Sequence, residues 1–446
     1  MTTSTTSRGV RPADVFSTLK QSILVDGFHV VVDLEKSHGS FLVDARDGKE
    51  YLDFYTYFAT LPVGHNHPRL LDPDFQKKLL AASIANPANS DVYTVEFAEF
   101  VEVFRRVAQR DHLPHAFFVA GGGLGVENAL KAAFDWKVRK NQAKGIRGEM
   151  GTQVIHFQQA FHGRTGYTLS MTNTADPRKT MYFPKFEWPR ILNPKCLFPL
   201  EGENLEHVEV AEVLAVGQIR EACHRLGDDI AALIIEPIQG EGGDNHFRAE
   251  FLQALRKLAD EFDFMLIFDE IQSGVGLTGK FWAYEHFGVK PDAVAFGKKM
   301  QVCGFLGGKR FDEVEHNVFV ESSRLNSTWG GNLADMVRAQ RYLEIIEEEN
   351  LVENARKRGE TLLAGLKELE KRHAGVTQAR GRGLMAAFDL PSGELRGKVL
   401  ETARDHGVLA LSSGTQSVRF RPGLAISDPE IHRGIDILDK AIRAAL

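Results

Sequence analysis

Two short apolar runs in this chain each end in residues able to do chemistry. Phe264 to Phe268 is followed at once by Asp269 and Glu270, and Ala293 to Phe296 by Gly297, Lys298 and Lys299. Both runs read as buried strands, separated by a polar loop that carries Gly274, Gly276 and Gly279. In an open α/β sheet such strands deliver a carboxylate and an amine to their carboxyl ends, the edge where ligands sit. That pair suits chemistry on an aldehyde coenzyme of the pyridoxal phosphate kind. The amine forms a Schiff base with the aldehyde, and the acid keeps the pyridine nitrogen protonated so that the ring can draw electrons. An ion pair capping two strands would use the same two residues, so the surrounding pattern has to decide.

The full run, DEIQSGVGLTGKFWAYEHFGVKPDAVAFGKK, resembles the signature of class III (omega-type) aminotransferases, pyridoxal phosphate enzymes of fold-type I. The family pattern is D-E-hydrophobic-Q-[TS]-G, then T-G, then P-D, then a lysine. The resemblance implies that Lys298 forms the Schiff base, that Asp269 pairs with the ring nitrogen, and that Gln272 lies near the coenzyme's phenolic oxygen and the bound substrate.

Other segments carry the pattern further. Residues 116–120 read as a strand, run into Gly121-Gly122-Gly123, and continue as a helix. Glycines let the backbone approach an anion, and a helix N-terminus favours negative charge, so this is a phosphate cradle in physical terms. The family resemblance places the phosphate at Gly122 and Gly123, but the hydroxyl side chain usual at the second position is missing here. Backbone donors must then do more, or another residue supplies the hydroxyl. The segment AFHGRTG is similar to the family's [FY]-H-G-R motif. It implies that Phe161 stacks on the coenzyme ring and that Arg164 binds a substrate carboxylate remote from the reacting amine. A planar guanidinium fork suits that task; a structural ion pair is the alternative, and His162 is read as structural. EPIQGEGG implies that Glu241 pairs with a distant arginine and acts as a gate. That arginine is Arg419, in V-R-x-x-P, with Arg421 as a nearby rival. RLNSTWGGN implies that Thr328 donates to the phosphate in the neighbouring subunit, so that the active site is completed in a homodimer; capping the next helix is its other reading. Among the aromatics Phe54, Tyr55, Tyr57 and Phe58, the family counterpart faces the substrate channel, and Phe58 is the expected one. His65 and His67 lack the acids or cysteines that would make them metal ligands, and no metal is expected.

Size and composition bound the rest. The 446 residues allow two or three structural units with a large core. A formal charge of −6 offers no basic footprint for nucleic acid, and no apolar run approaches the roughly 20 residues that span a bilayer. The first ten residues lack the apolar core of a secretory signal and read as a loose tail. Three cysteines, Cys196, Cys223 and Cys303, fit no disulfide or metal spacing, which makes a reducing cytoplasm the expected setting. The order of elements and the resemblance imply an α/β protein. It has a large coenzyme-binding domain with a mostly parallel central sheet flanked by helices, and a smaller α+β domain built from both termini. The expected divisions are residues 1–85, 86–332 and 333–446. Local expectations are a helix from about residue 12 ending near Gly27, a hairpin turning at Asp47-Gly48, Ser90 or Asp91 capping the helix that follows, and a meandering segment over 176–205 without chemistry of its own.

Over nearly the whole chain the wording is most similar to L-lysine 6-aminotransferases. This implies transfer of the terminal amino group of L-lysine to 2-oxoglutarate, giving 2-aminoadipate 6-semialdehyde and L-glutamate. An aminotransferase for 4-aminobutyrate or another ω-amino acid is the main alternative. A pyridoxal phosphate-binding protein with a degenerate site is the alternative from a different class, and the intact Asp269 and Lys298 speak against it.

Overall fold

The computed structural model describes residues 9–446; most of the expected N-terminal tail, residues 1–8, lies outside the described residues. The central sheet has seven strands, in the spatial order His115–Val119, Cys303–Gly307, Ala293–Phe296, Met265–Asp269, Ile230–Ile235, Gln153–Phe157 and Arg190–Ile191. Every neighbouring pair is parallel except those made by Cys303–Gly307, which runs against both its neighbours. Ile230–Ile235 and Met265–Asp269 are buried at every position, as continuous apolar runs must be when helices cover both faces of a sheet. The two faces separate by alternation. Ala232, Ile234, Met265 and Ile267 pack with the helix Gly122–Ala143. Leu233, Ile235, Leu266 and Phe268 face the layer containing the helices Gly202–Leu226 and Ala249–Glu261.

The register fixes the site. Ala295 pairs with Asp269 across the parallel strands, so the chain leaves one strand at Asp269 and the next at Gly297-Lys298 side by side. A three-stranded sheet joins Phe41–Val43 and Glu50–Asp53 to Val408–Leu409 from the far end of the chain. A four-stranded antiparallel sheet holds Thr377–Arg382, Met385–Asp389, Ser417–Phe420 and Leu411–Ser413. This is the expected α/β architecture with an α+β unit drawn from both ends.

Three local expectations need correction. The first helix spans only Val15–Leu19 and buries none of its residues; Leu19, Ile23 and Leu24 stay exposed, and an apolar periodicity without a surface to cover it does not sustain a helix this short. The helix Val95–Val107 is capped by Thr94, whose side chain accepts from the Phe97 N–H; the Ser90 hydroxyl donates to the Thr328 carbonyl instead. The cap of the helix Leu333–Glu348 is Asn332, not Thr328. The hairpin turns where expected, with Gly48 at φ 77°.

A backbone-to-backbone contact ties the two parts together behind the site. A Cβ placed on Gly359, in the helix Leu351–Arg372, would lie 2.2 Å from the Gly383 carbonyl carbon, and one on Gly383 would lie 2.4 Å from the Thr278 carbonyl carbon. Thr278 belongs to the loop that follows Asp269. Backbone cannot give way as a side chain can, so Gly359→Ala is expected to destabilise the fold by about 1–3 kcal/mol. A thermal melt reads this as a lowered midpoint; an unchanged midpoint would contradict the contact.

Candidate active site

Two adjoining cavities open at the carboxyl ends of the central strands. One, of about 350 Å³, is lined by Gly122, Gly123, His162, Glu236, Asp269 and Cys303 among others. The other, of about 960 Å³, is lined by Phe58, Arg164, Lys179, Glu241 and Arg419 among others. Phe161, Gln272 and Lys298 line both. The structure thus gathers all but one of the site residues expected from the sequence around one hollow. Thr328 is the exception: its side chain is exposed and it lines neither cavity of its own chain.

Asp269 is buried and its Oδ2 lies 2.8 Å from Nδ1 of His162. Burial pushes the His162 ring toward its neutral form, but the hydrogen bond and charge of Asp269 outweigh that and hold its pKa above the ordinary value. His162, read as structural from the sequence, therefore braces the acid. The adjacent Glu270 is turned away from this work. Its oxygens accept from the Ser273 hydroxyl at 2.6 Å and the Tyr284 N–H at 2.7 Å. Glu236 also faces the smaller cavity; it accepts the N–H groups of Phe161 and Gly240, and burial pushes its carboxyl up to about 7.

Lys298 sits in left-handed backbone, φ 48°, a conformation that costs a non-glycine residue of order 1–3 kcal/mol and persists only where neighbours impose it. Gln301 imposes it: its amide donates to the Lys298 and Thr60 carbonyls and accepts from Arg338. Burial, then the positive charges of Arg419 and Arg421, lower the Lys298 amine to about 8. The neighbouring Lys299 takes a different part. It is buried and its amine donates to the Ala59 carbonyl at 2.9 Å. Ala59 closes a stretch, Thr56 to Ala59, in which all four residues have φ between 43° and 68°. That strained turn, also held by the Asp53 carboxylate on the Tyr55 and Thr56 N–H groups, presents Tyr57 and Phe58 to the larger cavity.

The glycine cradle is as tight as the motif demanded. Gly121, at φ 109°, precedes the helix Gly122–Ala143. A Cβ on Gly122 would lie 3.1 Å from the Ile271 side chain, and one on Gly123 would lie 3.1 Å from the Thr165 hydroxyl. The space beside Gly123 is bordered by the Thr165 hydroxyl from another loop, which donates to the Glu127 carboxylate at 2.6 Å. A helix N-terminus, a ring at Phe161, an acid at Asp269 and an amine at Lys298 fit a flat, phosphorylated coenzyme aldehyde.

The cationic groups divide by occupancy. Arg421 is fully buried and gripped in a two-pronged ion pair by Asp244, at 2.5 and 2.8 Å. Arg419 donates to the Gln272 side-chain oxygen at 3.0 Å, and its Nε has no partner among the described residues. Arg164 is exposed to the larger cavity and forms no ion pair among the described residues. Glu241 departs from the expected pairing with a distant arginine. Its carboxylate accepts from Lys179 at 2.5 Å and from the Thr174 hydroxyl at 2.8 Å, while Gln272 occupies Arg419. Lys179 lies in the segment expected to have no chemistry, and nothing local in the sequence marked it. Of the two histidines once weighed as metal ligands, His65 is bonded to Asp53 and His67 to Glu349.

Comparison with known proteins agrees with this geometry. The family model for Aminotransferase class-III matches residues 24–442. The chain is 52% identical over 441 residues to the L-lysine-epsilon aminotransferase of Mycobacterium tuberculosis, covering 98% of this chain and 96% of that one. It is 49% identical over 435 residues to the L-lysine-epsilon aminotransferase of Streptomyces clavuligerus, covering 97% and 94%. A solved structure of lysine aminotransferase from M. tuberculosis, in the internal aldimine form, superposes with a TM-score of 0.95 at 51% identity, covering 98% of this chain and 100% of that one. Fold, cradle, acid, amine and near full-length similarity agree: this chain belongs to the class III aminotransferases, of fold-type I, and its cofactor is pyridoxal 5′-phosphate.

Proposed function

We propose that this protein is an L-lysine 6-aminotransferase. It moves the terminal amino group of L-lysine to 2-oxoglutarate in two alternating half-reactions. The products are 2-aminoadipate 6-semialdehyde, which cyclises to piperideine-6-carboxylate, and L-glutamate. The near full-length similarity to proteins named for lysine ε-transamination carries the choice of substrate; the Arg164 fork, without an ion-pair partner among the described residues and lining the same cavity as Lys298, is the feature of the site that agrees with it.

Bound pyridoxal phosphate supplies an aldehyde for covalent attachment and a protonated ring that takes up negative charge from the substrate carbon. The chain's own residues do the rest. Gly122 and Gly123, at the helix N-terminus, would hold the phosphate through backbone N–H groups. Phe161 and Gln272, which line the smaller cavity, would stack on the ring and lie beside it. Asp269, braced by His162, keeps the ring nitrogen protonated. Lys298 would anchor the cofactor, then carry the proton off and onto the substrate carbon as general base and acid.

Arg164 grips the carboxylate far from the reacting group, the terminal amine of L-lysine or the carbonyl of 2-oxoglutarate, and Phe58 lines the way in. Glu241 serves as a gate over Arg419. It neutralises the arginine when a terminal amine is bound and swings aside when the α-carboxylate of 2-oxoglutarate needs it. Thr328, exposed and away from its own cavities, reaches the phosphate of a second copy in a homodimer. Three unpaired cysteines agree with a cytoplasmic setting. No helix among the described residues is long and apolar enough to cross a membrane.

Incubation with L-lysine and 2-oxoglutarate is expected to yield glutamate and the cyclic imine, with 4-aminobutyrate in parallel giving much less. Preference for 4-aminobutyrate would overturn the substrate assignment. Lys298→Ala is expected to lose turnover by at least about 100-fold, and retained turnover would contradict its role. Arg164→Ala is expected to raise KM for both substrates by about tenfold or more, the worth of a charge-assisted hydrogen bond.

The lowered amine also predicts a pH dependence. Only the neutral amine attacks an aldehyde, and a depressed pKa makes that form abundant at lower pH. Aldehyde labelling of Lys298 in cofactor-free protein should therefore rise through a midpoint of about 8. A midpoint at the ordinary lysine value of about 10.4 would contradict the electrostatics of the cavity.

A further inference from the structure

We propose that Lys179, with Thr174, is a second berth for the Glu241 carboxylate and so sets how readily the site accepts a dicarboxylate. This rests on the reading of Glu241 as the gate over Arg419. One oxygen of Glu241 receives both the Lys179 amine and the Thr174 hydroxyl. Its other oxygen is buried and has no partner among the described residues, and neither has Nε of Arg419. Both residues line the same cavity of about 960 Å³. The carboxylate thus stands off the arginine, which keeps only the Gln272 side-chain oxygen.

A carboxylate moved off an arginine inside a cavity needs another cation, because a half-buried charge left unpaired is costly. Lys179 is placed to be that cation. It ends the short helical turn Pro177–Lys179, started by Asp176, whose side chain accepts from the Arg178 N–H. Its side chain and that of Glu241 are both largely shielded, at 28% and 19% exposure. With Glu241 on Lys179, Arg419 is open to an incoming α-carboxylate. With Glu241 on Arg419, the cavity suits a substrate whose reacting carbon bears no carboxylate. The apparent affinity for a ligand that needs the open arrangement scales with the fraction of molecules in it. Lys179 raises that fraction and is a specificity-determining residue for the dicarboxylate half-reaction.

The test measures the two half-reactions separately in Lys179→Met and Lys179→Arg, each in the native and the Glu241→Ala background. Lys179→Met should raise KM for 2-oxoglutarate by about three- to tenfold, as expected for a partly shielded ion pair. It should leave the L-lysine half-reaction within about twofold, since that half does not need the open arrangement. Lys179→Arg should restore the native value. The same loss should appear in the calorimetric Kd for glutarate, a dicarboxylate without the reacting carbonyl. In the Glu241→Ala background Lys179→Met should change nothing further. Equal losses in both halves, or an undiminished loss without Glu241, would overturn the proposal, because Lys179 would then act on the fold or touch substrate directly. If Glu241→Ala shifts the balance of the halves but Lys179→Met does not, the gate stands and the berth falls. If Glu241→Ala leaves the balance unchanged, gate and berth fall together.

Discussion

A carboxylate at the end of a buried strand is the constraint on which the site depends. Asp269 leaves the sheet where water is excluded, and an unpaired charge there would cost several kcal/mol. His162 meets it at 2.8 Å and fixes its orientation. The same packing that buries Asp269 sets Lys298 beside it through the register of the next parallel strand. The acid and the amine are thus placed by the sheet itself, and the loops decorate an edge already defined.

Around that edge several basic side chains crowd together, and each is held in a different way. Arg421 is held by Asp244 and shares the Gln272 side-chain oxygen with Arg419, while Lys299 is held by a carbonyl of the strained aromatic turn. Burial, with the charges of Arg419 and Arg421 added to it, is what depresses the Lys298 amine. Arg164 extends into the larger cavity without an ion-pair partner among the described residues; Arg396 and Arg419 line the same cavity and also lack one, Arg396 donating to the Ser413 and Gly414 carbonyls. One arrangement therefore supplies both a reactive amine and places for carboxylates.

Much of this was legible in the sequence because it is written in contiguous runs. The two central strands end in their functional residues, and the glycine triplet stands between a strand and a helix, so short-range pattern locates them. Arg419 is preferred to Arg421 on register, and in the structure Arg421 is gripped by Asp244 while Nε of Arg419 has no partner among the described residues. What stayed hidden are pairings between residues far apart in the chain. His162 and Asp269 are separated by 107 positions and Lys179 and Glu241 by 62, and no local pattern announces either. The Thr165 hydroxyl beside Gly123 is a third case: only the missing side chain at Gly123 hinted that something else must fill the space. The N-terminal helix failed in the opposite way. Its periodicity is real, but periodicity implies a helix only when a surface exists to bury the apolar face.

The central claim is that the amine at Lys298, and not its buried neighbour, meets the cofactor opposite Asp269. The direct measurement is borohydride reduction of the purified protein with pyridoxal phosphate, followed by peptide mass spectrometry. The account predicts a single modified lysine at Lys298, lost in Lys298→Ala. Modification at Lys299, or no stable adduct in the native protein, would contradict it.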